Sequence, residues 1–273
     1  MKVVATALAL TMLAPSAIAG CAEDPAPCQV ADGAYHLALP DAPQAAPVVV
    51  FLHGAGSSGA AVIGNTALVQ RFVARGYAVL APSALPRRAG ASGGVWTFLP
   101  DWEGRDEAAF LRRVVWDAAQ AHGLSDSRVL LTGFSAGAFM VSYLACEAPE
   151  SFAAYAPLAG AFWQPHPASC RGPVKLFQTH GWRDRTVPLE GRPLRGGAWL
   201  QGDVFASLEI WRRANDCPNM APDAFDETGI FWRRAWTDCA DGSALELALH
   251  PGGHTLPSGW VDMVLDWFEA QLP

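Results

Sequence analysis

Residues 128–148 constrain the fold most. Arg128 to Thr132 is a short apolar run centred on Val129-Leu130-Leu131 and reads as a buried strand. After one sharp turn, an Ala-rich segment of helical spacing follows, from Ala136 to Ala148. A strand that passes straight into a helix belongs to a sheet whose strands are joined by helices. The rest of the chain repeats that pattern. Val48 to Leu52 is apolar at every position and reads as a buried parallel strand. Ala60 to Ala74 has helical spacing, and Tyr77 to Ala81 is the next strand. Asp106 to Ala121 is amphipathic, with acids at its start to suit the helix dipole. Ala153 to Leu158, Lys175 to His180 and Leu245 to Leu249 are further strands, while Ser207 to Ala214 and Val261 to Gln271 are helical. Tyr35 to Leu39 alternates as an edge strand does. The sum is an α/β fold, a mostly parallel sheet with helices on both faces. The stretch from Pro82 to Gly104, rich in Pro, Gly and Arg, is a long loop of the kind that carries function.

The ends and the cysteines speak to location. Met1-Lys2 followed by the apolar run Val3 to Leu13, Pro15 and Ala17-Ile18-Ala19 fits a secretory signal peptide over residues 1–19, with 20–273 as a single domain. That run is too short to span a bilayer. Ile18-Ala19-Gly20-Cys21 also fits a lipoprotein processing site, which would anchor the chain through a lipid on Cys21. Six cysteines stand at 21, 28, 146, 170, 217 and 239. In an exported chain an even count favours pairing, and chain neighbours suggest Cys21–Cys28, Cys146–Cys170 and Cys217–Cys239. Lipidation would orphan Cys28, so a secreted or periplasmic protein is the expectation. No cysteine pattern has zinc-ligand spacing, and no metal or cofactor is expected. A net charge of −7 argues against nucleic acid as a partner. The oligomeric state is left open.

Gly133-Phe134-Ser135-Ala136-Gly137 has the pattern G-x-S-x-G, as does Gly90-Ala91-Ser92-Gly93-Gly94. Only Ser135 stands between a buried strand and a helix, the context that lifts a serine oxygen clear of a sheet in the α/β-hydrolase fold. Ser92 lies inside the irregular loop. In this fold the acid and then the histidine follow the serine. His254, in Pro251-Gly252-Gly253-His254, sits just past the last strand where a loop can deliver an imidazole, whereas His250 belongs to the strand. Asp184, in the turn after the strand ending at His180, can hold the imidazole tautomer; its other reading is a turn cap, and Asp203 is the fallback acid. Backbone N–H groups of Ala136 and of Ala55, after His53-Gly54, are the candidate oxyanion donors. His53 reads as a structural support for that turn.

With these residues in view, the chain resembles the secreted polyhydroxybutyrate depolymerase / feruloyl esterase family of serine esterases. The resemblance is carried by FLHGAGSS at 51–58, GFSAGAFM at 133–140, THGWRDRTVP at 179–188, LEIWRRANDC at 208–217 and PGGHTLPSGW at 251–260. It implies an α/β-hydrolase fold, the triad Ser135, Asp184 and His254, and a carboxylic ester as substrate, polymeric or small. It also implies that Trp96 lies near the acyl site. Of the 11 tryptophans, Trp182, beside Asp184, is a second candidate for substrate contact. The chain departs from the family pattern with Val95-Trp96-Thr97 and Leu256, which leaves the acyl and alcohol groups open. The rival readings are a serine peptidase with the same triad and an inactive surface-binding module.

Overall fold

The computed structural model describes residues 21, 26–86 and 93–272. The signal-peptide reading and Ser92 lie outside the described residues. The strands are β1 (Cys28–Val30), β2 (Gly33–Ala38), β3 (Val48–Leu52), β4 (Ala78–Pro82), β5 (Val129–Phe134), β6 (Ala154–Leu158), β7 (Trp163–Gln164), β8 (Lys175–Gly181), β9 (Arg192–Leu194), β10 (Trp199–Gln201), β11 (Ala224–Thr228), β12 (Phe231–Trp236) and β13 (Ala244–His250). The α-helices are α1 (Gly59–Gly64), α2 (Thr66–Ala74), α3 (Glu107–His122), α4 (Ala136–Glu147), α5 (Val204–Ala214) and α6 (Trp260–Ala270). Ten strands form one sheet in the order β1-β2-β4-β3-β5-β6-β8-β13-β12-β11. From β4 to β13 all neighbours run parallel, and both flanks are antiparallel.

Alternation along β3 shows why the sheet needs cover on both faces. Val48, Val50 and Leu52 pack in one core with Phe110 and Leu111 of α3, Phe139 of α4 and Trp211 of α5. Val49 and Phe51 pack in the other with Phe72 of α2 and Trp260, Val264 and Phe268 of α6. Successive side chains on a strand point to opposite faces, so a strand apolar at every position is buried twice over.

Three expectations need correction. The helix read over Ala60 to Ala74 is two helices, because Asn65 breaks it: its side chain accepts from the Leu68 N–H and caps α2. The strand at Tyr35 is second from the edge, since Cys28–Val30 pairs outside it. The segment between Cys217 and Cys239, which follows the Ser207 to Ala214 helix and reads in the sequence as an excursion from the sheet, instead continues it as the antiparallel strands β11 and β12. A small three-stranded sheet, β7-β10-β9, lies apart from the main one and has no counterpart in the sequence reading.

The three cysteine pairs suggested by chain order are bonded as Cys21–Cys28, Cys146–Cys170 and Cys217–Cys239. No helix among the described residues is long and apolar enough to cross a membrane.

Candidate active site

Ser135 occupies the turn between β5 and α4 with φ 58° and ψ −115°. Positive φ on a residue with a Cβ costs about 1–3 kcal/mol and persists only where the surroundings enforce it. Here the glycines enforce it by closeness. A Cβ on Gly137 would lie 2.2 Å from the Leu52 carbonyl oxygen, and one on Gly133 would lie 2.6 Å from the Gly137 backbone. Strand β3, β5 and the start of α4 therefore pack backbone to backbone, which lifts Ser135 to the C-terminal edge of the sheet.

Asp184 and His254 come from neighbouring strand ends. After β8, the Trp182 N–H donates to the His250 carbonyl (2.8 Å) and the Arg183 N–H to that of Gly252 (2.9 Å). The Arg183 Nε donates to Pro251 O at 2.6 Å. Gly181 allows this zipping, since a Cβ there would sit 2.3 Å from the Gly253 oxygen. The result is a 2.7 Å hydrogen bond from His254 Nδ1 to Asp184 Oδ2. The other carboxylate oxygen accepts from the Thr186 and Val187 N–H groups, each at 2.8 Å. Burial pushes the Asp184 pKa up, but the bonds from His254, Val187 and Thr186 outweigh it and hold the carboxyl below its ordinary value. Asp184 thus stays ionised and fixes the imidazole with Nε2 free of it. The imidazole lies on the ring of Phe134, 4.7 Å between centroids, next in sequence to Ser135.

Two further histidines support this corner. His180 Nε2 donates to the Val187 carbonyl at 2.7 Å and lies 3.7 Å from Asp184 Oδ2. It is fully buried, and burial lowers its pKa, so it is neutral and ties down the turn that feeds N–H groups to Asp184. His250 Nδ1 accepts from the Gly252 N–H at 3.2 Å, and burial lowers its pKa as well. The fallback acid, Asp203, caps α5 by accepting from Ala206 N–H at 2.9 Å.

Residues 38–194 match the family described as phospholipase/carboxylesterase, more than half of the chain. The chain belongs to that family. The match spans Ser135 and Asp184, and His254 lies beyond it. Among curated proteins, poly(3-hydroxyalkanoate) depolymerase C of Paucimonas lemoignei is 32% identical over 127 residues, 46% of this chain and 29% of that protein. NocK of Nocardia uniformis subsp. tsuyamanensis, described as an esterase, is 30% identical over 154 residues, 56% of this chain and 44% of that protein. The matched stretches thus span less than half of either relative. Among solved structures, an acetyl xylan esterase from Aspergillus awamori shares the fold with a TM-score of 0.63 at 18% identity, over 86% of this chain and 93% of that one. A carboxylesterase from Mesorhizobium loti does so with a TM-score of 0.57 at 19% identity, over 87% and 94%.

In this family member a cavity of about 290 Å³ opens beside Ser135. Ala55 and Ala136, the two candidate oxyanion residues, line it. A Cβ on Gly54 would lie 3.5 Å from that of Ser135, so the His53-Gly54-Ala55 turn passes close over the serine. His53 is buried: its Nδ1 donates to Gly54 O at 2.8 Å and its Nε2 accepts from the Ala84 N–H at 3.0 Å.

The two tryptophans singled out in the sequence do not line this cavity. Trp96 is fully buried and its indole N–H donates to the His53 carbonyl at 2.9 Å, so it supports the turn from behind; its neighbour Val95 lines the cavity instead. Trp182 is 58% exposed and does not line the cavity. The aromatic wall comes from Trp102, Trp163 and Trp199 with Phe98 and Phe139. Trp199 and Trp163 lie on the small sheet, whose short irregular strands leave no periodic signal.

Proposed function

We propose that the chain hydrolyses carboxylic esters by two-step acyl transfer, with Ser135 as nucleophile, His254 as general base and then acid, and Asp184 as its orienting partner. His254 takes the Ser135 proton as the oxygen attacks the ester carbonyl. The N–H groups of Ala55 and Ala136 receive the oxyanion, each worth about 3 kcal/mol in the barrier. His254 then protonates the leaving alcohol and activates the water that releases the acid. The observation that carries this reading is the 2.7 Å bond from His254 to an ionised, doubly N–H-bonded Asp184, with the imidazole packed on Phe134, the residue before a Ser135 held at positive φ. Family membership and the esterase and depolymerase names of the relatives support the same chemistry. The substrate class includes short acyl esters, hydroxycinnamate esters and hydroxyalkanoate oligomers.

The test is hydrolysis of 4-nitrophenyl butyrate, methyl ferulate, a hydroxybutyrate oligomer and a peptide amide by the purified protein and by Ser135→Ala and Ser92→Ala. Ester turnover lost with Ser135→Ala and kept with Ser92→Ala is the expected result. Turnover retained in Ser135→Ala overturns the assignment, and turnover of the peptide amide alone makes the chain a peptidase.

The same reading includes export as a single domain after cleavage behind Ala19. Three disulfides support an oxidising compartment, and the Cys21–Cys28 bond occupies the thiol that lipidation would use. An intact mass equal to residues 20–273, less the six hydrogens lost in three disulfides, is expected. A mass starting at Cys21 with added acyl chains makes the protein a lipoprotein.

A further inference from the structure

The cavity beside Ser135 carries charge that ester hydrolysis does not need. Its walls are aromatic, and two arginines, Arg192 and Arg195, line it with no Asp or Glu among the lining residues. In a chain of net charge −7 that placement is against the average. Arg192 stands opposite Gln201 across the β9–β10 pair, and its Nε donates to the Gln201 side chain at 3.3 Å. Its terminal nitrogens have no protein partner among the described residues. Arg195 lies over the Trp199 ring at 4.7 Å, which fixes its guanidinium on the cavity wall. Neither forms an ion pair with a carboxylate among the described residues.

Arg195 sits at a bend in the backbone. Arg195, Gly196 and Gly197 have φ of 47°, 69° and 96° in succession. Glycine enters that region freely, whereas an arginine does so at a cost, and such strain gathers where a side chain must be aimed. Asp101 and Glu103 line an adjoining cleft of about 550 Å³ that shares Val95, Trp102 and Trp199 with this cavity, and they are not among the residues that line the cavity itself.

The cavity also has an orientation. It is lined by Ser135, Ala55 and Ala136 and not by His254. A leaving alcohol must depart against the imidazole that protonates it, so the group seated in this cavity is the acyl part.

From this arrangement we infer that the enzyme selects esters whose acyl group has an aromatic or other apolar body ending in a free carboxylate, held by Arg192 and Arg195. The inference rests on the ester hydrolysis proposed above. The aromatic walls take the body of the acyl group, and the guanidiniums pair with its far carboxylate. A neutral acyl group would leave both guanidiniums without that partner. Charge-assisted pairs of this kind are stronger than neutral hydrogen bonds and select by geometry as well as by charge.

The experiment compares two substrates with and without that charge, the mono-4-nitrophenyl ester of terephthalic acid and its methyl-capped analogue, with release of 4-nitrophenol as the readout for both. In wild type, kcat/KM should favour the free acid by about ten-fold or more, the ratio expected of one charge-assisted hydrogen bond. That ratio should shrink with added salt, because Arg195 is exposed. In Arg192→Gln/Arg195→Gln the ratio should fall to about one or below, and glutamine tolerates the φ of residue 195 no worse than arginine does. A measurement free of any variant uses terephthalate itself, which should inhibit wild type competitively and better than terephthalamide. Hydrolysis of the capped ester with no preference for the acid overturns the inference and leaves ester hydrolysis standing. So does a preference that survives in the double variant, or equal inhibition by acid and amide. Absence of Ser135-dependent turnover of either ester overturns the parent reading itself.

Discussion

The indole N–H of Trp96 donates to the backbone carbonyl of His53 at 2.9 Å, with the two rings 5.0 Å apart. This contact lies directly behind the turn that carries the Ala55 N–H. Trp96→Phe keeps an aromatic ring in place and removes the donor, leaving a buried carbonyl unpaired. The expected result is a loss of about 1–3 kcal/mol in stability together with about a ten-fold drop in kcat, since a displaced oxyanion donor is missed in the transition state. KM should move little. Unfolding and steady-state kinetics on the same preparation check it, and a kcat equal to wild type would show that the turn holds without Trp96.

His254 and His250 are four residues apart and should respond oppositely. His254→Ala removes the group bonded to Asp184 and should lower kcat by about four orders of magnitude, with Ser135→Ala/His254→Ala no worse than either single change. His250→Ala, at a side chain packed beneath the same loop, should act through stability instead. Comparable kcat losses in both would mean that His250 takes part in proton transfer.

These two histidines also show how far the sequence could be read. Position relative to a strand end separates them, and that position follows from apolar runs the eye can find. The parallel centre of the sheet was legible for the same reason: β3, β4 and β5 are apolar at almost every position because both faces are covered. The cavity walls were not legible. β7, β9 and β10 are two or three residues long, so no period of two develops, and Arg192, Arg195 and Trp199 look like ordinary turn residues. The role of Trp96 was not legible for a related reason. Within Val95-Trp96-Thr97, which neighbour faces the cavity depends on the path of an irregular loop. The strands β11 and β12 left little signal because β11 is exposed almost throughout and β12 buries only its end residues, Phe231 and Trp236, while Phe225, Ile230 and Trp232 face solvent in and around the hairpin.

That same hairpin gives a prediction for the third disulfide. Cys217 follows α5 and Cys239 follows β12, so the bond closes a 22-residue separation around the antiparallel edge of the sheet. In the chain-entropy model such a closure is worth about 3 kcal/mol. Cys217→Ser/Cys239→Ser should therefore unfold at lower denaturant by about that free energy, with kcat nearly unchanged because the site sits on the strands before this edge. Non-reducing peptide mapping should recover the two cysteines as a linked pair. Free thiols at both positions in protein from an oxidising compartment would remove the bond and the argument for export together.

The last prediction concerns acid. His53, His180 and His250 are buried, and burial lowers the pKa of each. In the unfolded chain they take a proton near the ordinary histidine value of about 6.5. Below that pH the unfolded state binds more protons than the folded one, so stability must fall as pH falls. The slope is about 1.4 kcal/mol per pH unit for each histidine protonated only when unfolded. Asp184 has the opposite charge logic and a different window. Its folded pKa is depressed, so its contribution is present above the ordinary aspartate value and is lost only as pH drops further, through the folded value. Glu107 and Glu246, raised by burial beside Arg105 and Arg233, favour the folded state below their folded pKa values and partly offset the histidines. Comparing variants isolates the histidine contribution. His180→Gln retains a side-chain donor for the Val187 carbonyl but no group that titrates in this range. Urea unfolding at pH 7 and pH 5 should show wild type losing stability toward pH 5 and His180→Gln losing about 1 kcal/mol less over the same interval. Equal losses in the two proteins would mean that His180 is protonated in the folded state, and that the turn holding Asp184 is fixed by an ion pair and not by a neutral imidazole.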